Sequence, residues 1–172
     1  MARLAAQEKG EYYPTPLCIV DHLATLLHVK PQKNRPVVRL FDPCVGEGRA
    51  LARIAEALRG RTDQEIQAWG VEINPRRAAE AAERLDLVIP AALEVVRWRP
   101  AQWGVASLLF LNPPYDFSQG RHRRMETFFL DKATPSLEPG GLLVYIIPLT
   151  AVDYEMIHLL WQWYEDIAAY RF

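Results

Sequence analysis

Residues 107–116 read S-L-L-F-L-N-P-P-Y-D. Leu108 to Leu111 form a short apolar run of the kind shown by a strand buried on both faces, and Asn112, Pro113, Pro114 and Tyr115 end it abruptly. Consecutive prolines remove two backbone donors and fix two φ angles, while their carbonyls remain able to accept hydrogen bonds. The segment therefore predicts a rigid shelf at a strand end, with a side-chain amide, a free carbonyl and an aromatic face side by side. A structural turn explains the prolines but does not require Asn112 and Tyr115 around them.

Two further strand ends lie upstream. Val37 to Phe41 predicts a first strand, left by Asp42-Pro43-Cys44-Val45-Gly46-Glu47-Gly48 and followed by a helix with Ala50, Leu51, Ile54, Ala55 and Leu58 on one face, ending near Gly60. Glycines in a strand-to-helix turn let a ligand approach the backbone. The dinucleotide fingerprint wants a third glycine where Leu51 stands, and no phosphate-loop lysine follows, so pyrophosphate is disfavoured. A second strand, Ile66 to Glu72, ends on a carboxylate, which can accept from both ribose hydroxyls at that place in an α/β cradle. Asn74 then caps, and Pro75 starts, a helix carrying Ala78, Ala79, Ala82 and Leu85.

The rest of the chain alternates in the same way. Residues 1–11 read as a polar arm and 12–172 as one domain. Tyr12-Tyr13-Pro14-Thr15-Pro16 leads into a helix with Leu17, Val20, Leu23, Ala24 and Leu27, for which Thr15 is the expected N-cap and Pro16 the first helical residue. A helix N-terminus of this sort also offers N–H groups to an anion. A short strand is expected at Leu93 to Arg97, before a loop whose Trp98 and Trp103 read as packing. Beyond the shelf, Arg121, Arg123 and Arg124 form the densest basic cluster, read equally as a solvated loop or as a guide for a phosphate backbone. Phe128, Phe129, Lys132 and Ala133 suggest a helix, and Glu138 to Gly141 a turn into a buried strand, Leu142 to Ile147. Thr150 and Asp153 resemble a capping box for a helix with Val152, Met156, Leu159, Leu160 and Trp163, and Ile167 to Phe172 looks like the start of a strand.

With 172 residues, half of them hydrophobic, the chain can bury the core of one domain. Twenty basic and twenty-one acidic side chains leave a net charge of −1, so any nucleic-acid contact must come from a local patch. Cys18 and Cys44 lack metal-site spacing, no signal segment or membrane-length apolar run is seen, and a reduced cytoplasmic setting without metal or membrane is expected. Alternating strands and helices predict an α/β fold, a mainly parallel sheet with helices on both faces, whose ligands lie outside the carboxyl ends of the strands. Asp42, Glu72 and Asn112 all fall at such ends.

In order and spacing, F-D-P-C-V-G-E-G, G-V-E-I-N-P and L-N-P-P-Y, with Y-Y-P-T-P upstream, resemble the successive motifs of the S-adenosylmethionine-dependent N6-adenine methyltransferases, from about Gly10 to the chain end. The resemblance implies a Rossmann-like class I methyltransferase domain. It implies that Asp42, Pro43, Cys44, Gly46 and Gly48 cradle the methionine part of S-adenosylmethionine, that Tyr13 and Thr15 close over it, that Glu72 takes the ribose hydroxyls, and that Ile73 packs on the cofactor adenine. The Asn112 side chain and the Pro113 carbonyl would hold an exocyclic amine, on the rigid Pro113-Pro114 path, with Tyr115 stacking on the base. The substrate implied is nucleic acid, DNA ahead of RNA. Protein glutamine is the alternative substrate, and a non-catalytic cofactor-binding subunit is a further reading. Val45 and Glu47 depart from the first motif, and Pro90-Ala91-Ala92 lacks the acidic residue often found after the third strand. The family's terminal hairpin looks incomplete, which leads us to expect a partner chain or a further C-terminal region supplying substrate recognition.

Overall fold

The computed structural model describes residues 13–30, 36–97, 104–115 and 124–171. Within them the order is α1 (Leu17–Leu26), β1 (Val37–Asp42), α2 (Arg49–Arg59), β2 (Glu65–Val71), α3 (Pro75–Ala82), β3 (Leu87–Ile89), β4 (Ala106–Leu111), α4 (Met125–Ala133), β5 (Leu137–Tyr145) and α5 (Tyr154–Trp163). The strands form one sheet in the order β3-β2-β1-β4-β5, and every neighbouring pair is parallel. The chain builds outward from β1 in one direction, then returns to start again at β4 on its other side. The crevice between β1 and β4 is therefore the switch point at which an open α/β sheet binds ligands.

Alternation along the strands divides the core between the two faces. Leu40 of β1 and Leu108 and Phe110 of β4 pack with Val20, Leu51, Ile54, Ala55 and Leu58, placing α1 and α2 on one face. Phe41 and Leu109 turn to the other face with Ala133, and Leu111 packs there with Phe129, Leu130 and Met156 of α4 and α5. Leu109 and Leu111 are fully buried, as expected for a central parallel strand with helices on both sides.

Several local expectations change. The first helix starts at Leu17 after Pro16, whose carbonyl accepts from the N–H groups of Ile19 and Val20, and Thr15 makes no cap. The third strand is Leu87–Ile89, paired with β2, while Leu93–Val95 winds into a 3-10 turn that drives Leu93 into the core. Strand β5 begins at Leu137, absorbing the expected turn as an irregularity: Ala106 pairs with Leu137 and Leu108 with Leu142, with Gly140 at φ 75°. As an edge strand it is half-buried, and Leu142 is exposed. Thr150 lies in a 3-10 turn, and Asp153 is itself the N-cap of α5, accepting from the Met156 N–H at 2.9 Å. Residues 164–171 form no strand, because they find no ladder partner: Ile167 and Tyr170 are exposed and Asp166 has a positive φ. Trp98 and Trp103 lie outside the described residues.

Candidate active site

The three strand ends open on one cavity of about 350 Å3 at the carboxyl edge of the sheet. Of the residues expected around a cofactor, Tyr13, Thr15, Asp42, Pro43, Cys44, Glu72, Ile73 and Asn112 line it, together with Pro113 and Pro114 of the shelf. Gly46 and Gly48 do not. Gly48 has φ 78°, and a Cβ there would lie 3.1 Å from Ala81 Cα, so this glycine lets α2 start against α3. Gly46 acts through a side chain: its N–H donates to Glu72 Oε2 at 2.9 Å.

Glu72 is buried and held from several directions. Its Oε1 accepts from the Asn74 N–H at 2.8 Å and from Arg77 Nε and Nη2 at 3.1 and 2.8 Å. Asn74 in turn caps α3 by accepting from the N–H groups of Arg76 and Arg77, as its place before Pro75 predicts. The carboxylate is thus oriented before any ligand arrives, and its remaining acceptor capacity is on Oε2. Asp42 is also buried, its Oδ1 accepting from the Cys44 N–H at 2.9 Å. Burial pushes its carboxyl up to about 7 against the pull of that N–H, and the charge of Glu72 adds to the rise. The Cys44 thiol, pushed well up by burial and by Asp42, remains an S–H donor and bridges β1 to β4 by donating to the Asn112 carbonyl at 3.3 Å.

On the shelf, Asn112 Nδ2 donates to the Tyr13 carbonyl at 3.1 Å and to Thr15 Oγ1 at 2.9 Å. With both amide hydrogens placed, the side-chain oxygen is the acceptor end, and it accepts from the Tyr115 hydroxyl. Burial pushes the Tyr115 phenol up to about 12, so that group stays a donor at neutral pH. The Tyr115 ring also stacks on Tyr13, with centroids 5.9 Å apart and an interplanar angle of 18°.

Arg124 is not presented to a phosphate backbone: its side chain is 20% exposed and pairs at 2.8 Å with the fully buried Glu126. Arg121 and Arg123 lie outside the described residues. Val45, unusual for its motif, is accommodated by Gly70 on β2, where a Cβ would come within 2.5 Å of the valine side chain. Glu47 pairs with Arg49 at 2.8 Å. The cavity wall also takes in Arg77, Glu94, Met125 and Phe129, none of which the sequence singled out as a site residue. Arg77 had a signal, since it falls in the first turn after Asn74-Pro75 and so beside Glu72. Glu94 lies just past Pro90-Ala91-Ala92, and only the 3-10 turn returns it to the cavity.

The cavity falls within the range of small-molecule sites. Two buried carboxylates and an exposed apolar side chain, Ile73 at the rim, suit a nucleoside carrying positive charge. Comparison with solved structures gives the fold a class. A Listeria monocytogenes protein assigned to the class I S-adenosylmethionine-dependent methyltransferases is 18% identical, with a TM-score of 0.66 over 92% of this chain and 55% of that one. The type IIG restriction endonuclease BpuSI is 17% identical, with a TM-score of 0.65 over 91% of this chain and 22% of that one. A TehB-like S-adenosylmethionine-dependent methyltransferase from Corynebacterium glutamicum is 13% identical, with a TM-score of 0.55 over 83% and 70%. The chain thus spans about half of the first and about a fifth of the second. A comparison with curated proteins gives no match. The fold is that of a Rossmann-like class I methyltransferase, whose cofactor is S-adenosylmethionine. The chain itself belongs to the uncharacterised methyltransferase family DUF6094, whose model matches residues 1–172. Among the described residues, no helix is long and apolar enough to cross a membrane, and no cluster of three or more His, Cys, Asp or Glu side chains is placed to hold a metal.

Proposed function

We propose that this chain catalyses methyl transfer from S-adenosylmethionine to the exocyclic N6 amine of adenine in nucleic acid, DNA ahead of RNA. The observation that carries the reading is the Asn112 amide, pinned through its nitrogen by Tyr13 and Thr15 so that its oxygen is the acceptor at the switch point. Asp42, Cys44 and Thr15 surround the methionine end of the cofactor, while Glu72, oriented by Gly46, Asn74 and Arg77, takes the ribose and Ile73 covers the adenine. Bound S-adenosylmethionine supplies a methyl group activated by a sulfonium.

An adenine amine is a poor nucleophile because its lone pair is delocalised into the ring. Asn112 Oδ1 and the Pro113 carbonyl accept its two N–H groups and draw the nitrogen toward tetrahedral geometry, directing the lone pair into the cavity. The chain then needs no strong base, and the amine proton leaves after transfer. A base within a duplex has to be flipped out to reach the shelf, whereas one in a single strand does not. The likeness to a restriction endonuclease is in keeping with a DNA substrate.

Labelled S-adenosylmethionine incubated with single-stranded DNA, duplex DNA and RNA tests the reading. N6-methyladenine in the digested product is the expected outcome, greatest with DNA. Absence of methylated adenine from all three polymers overturns it, and label on a glutamine amide of a protein acceptor reassigns the substrate.

A further inference from the structure

Tyr13, which lines the cavity, also lies against the shelf. The ring is about half exposed and stacks on Tyr115, nearly parallel, at a centroid separation of 5.9 Å. Its backbone carbonyl separately holds Asn112 Nδ2 at 3.1 Å. The Tyr115 hydroxyl, meanwhile, occupies Asn112 Oδ1, the one acceptor of that amide left free by Tyr13 and Thr15.

We propose that the Tyr13 and Tyr115 rings are the two walls of a clamp for a planar ring bearing an exocyclic amine, and that entry of this ring uncovers Asn112 Oδ1. The proposal rests on the adenine reading above and adds a residue and a selection rule to it.

Two aromatic surfaces with a third ring between them stand about 7–8 Å apart, since each contact needs about 3.5–4.0 Å. The walls therefore have to part to admit it. Tyr13 is about half exposed on one side, and Tyr115 needs to give up one hydrogen bond. The O–H donor at Asn112 Oδ1 marks where the incoming N–H belongs. A ring with an amine restores the lost bond, whereas a ring with a carbonyl at that position sets two acceptors face to face and leaves Asn112 Oδ1 unpaired. The clamp thus selects for flatness through its walls and for an amine through its floor. A glutamine side chain brings the amide but offers no ring to fill the gap.

The test uses the whole chain with sinefungin present, so that binding is read without turnover, and short single-stranded oligonucleotides as probes. Adenine oligonucleotides should bind Tyr13→Phe as tightly as the wild type, since the flat face is kept, whereas Tyr13→Leu removes the flat face but keeps the backbone carbonyl. Adenine oligonucleotides should bind about tenfold more weakly to Tyr13→Leu, and hypoxanthine oligonucleotides about tenfold more weakly than adenine ones to the wild type, each the equivalent of ~1.4 kcal/mol. Tyr115→Phe, which keeps the wall and uncovers Oδ1, should bind adenine oligonucleotides more tightly. Sinefungin affinity should stay within about twofold of wild type in all three variants. The clamp is overturned if Tyr13→Leu weakens sinefungin and leaves oligonucleotide binding unchanged, because Tyr13 would then be serving the cofactor. It is equally overturned if Tyr13→Leu binds adenine oligonucleotides as tightly as the wild type. The expected loss of oligonucleotide affinity in Tyr13→Leu, without methylated adenine in the turnover assay, would sink the adenine reading and leave the clamp standing.

Discussion

A single amide organises the candidate site. In the proposed role Asn112 must present its oxygen to the substrate, and the amide itself has no preference between its two ends. Thr15 Oγ1 and the Tyr13 carbonyl impose one. Thr15→Val keeps the shape and removes the acceptor, so the methyl-transfer rate in single turnover should fall by about tenfold or more, in line with the ~1–3 kcal/mol cost of an unsatisfied buried donor. Thr15→Ser should retain most of the rate. Asp42 makes a second prediction at this scale. Its carboxyl is raised from an ordinary value near 3.8 to about 7, mainly by burial. The rise weakens folding as pH increases: the favourable contribution is complete below the unfolded value near 3.8 and is lost as pH passes through about 7. A positively charged cofactor favours the ionised carboxylate, so binding releases a proton. Affinity for S-adenosylmethionine should therefore rise as pH increases toward about 7 and level off above it. Calorimetry from acid to neutral pH, in buffers of different ionisation enthalpy, reads that proton directly, and Asp42→Asn should flatten the profile.

Between elements, tight contacts decide how the strand ends meet. The turn after β1 rests on β2 where Gly70 leaves space for Val45. Gly70→Ala forces the two side chains together and should cost about 1–3 kcal/mol in urea unfolding. Adding Val45→Ala should recover only part of that loss, because the Cβ of residue 45 itself lies 2.8 Å from the added Cβ, a non-additivity expected only if these two groups are the ones that collide. The start of α3 performs a related task at the end of β2. Its Asn74 cap and Arg77 together hold Glu72 Oε1. Arg77→Ala removes two charge-assisted donors from a buried carboxylate, and cofactor affinity should drop about tenfold while the fold persists, as measured by calorimetry alongside circular dichroism. The helix start was legible in the sequence, because Asn74-Pro75 is a local capping signal. The same signal puts Arg77 in the first turn, near Glu72, but the ion pair itself depends on how α3 leaves the sheet.

For the whole molecule, the cofactor should act as a stabilising ligand. At a hundredfold excess over Kd, sinefungin or S-adenosylhomocysteine should add about 2.7 kcal/mol, seen as a rise in Tm of about 5–10 °C for a chain of this size. Glu72→Ala should abolish the rise, whereas Asn112→Ala should leave most of it. Legibility follows range. Strand, turn and helix order, the three strand ends and their chemical types follow from neighbouring residues, through apolar runs, prolines and caps, and they sufficed to predict the doubly covered parallel sheet. Elements that depend on a distant partner were misplaced: Thr15 turned from a helix cap into a prop for Asn112, and residues 164–171 found no strand to join. The sequence by itself determined which groups stand at the carboxyl edge of the sheet, since local pattern specifies where strands stop. Only the tertiary structure decided which way those groups point, because orientation comes from hydrogen bonds and packing between segments nearly a hundred residues apart, such as Thr15 and Asn112 with a separation of 97.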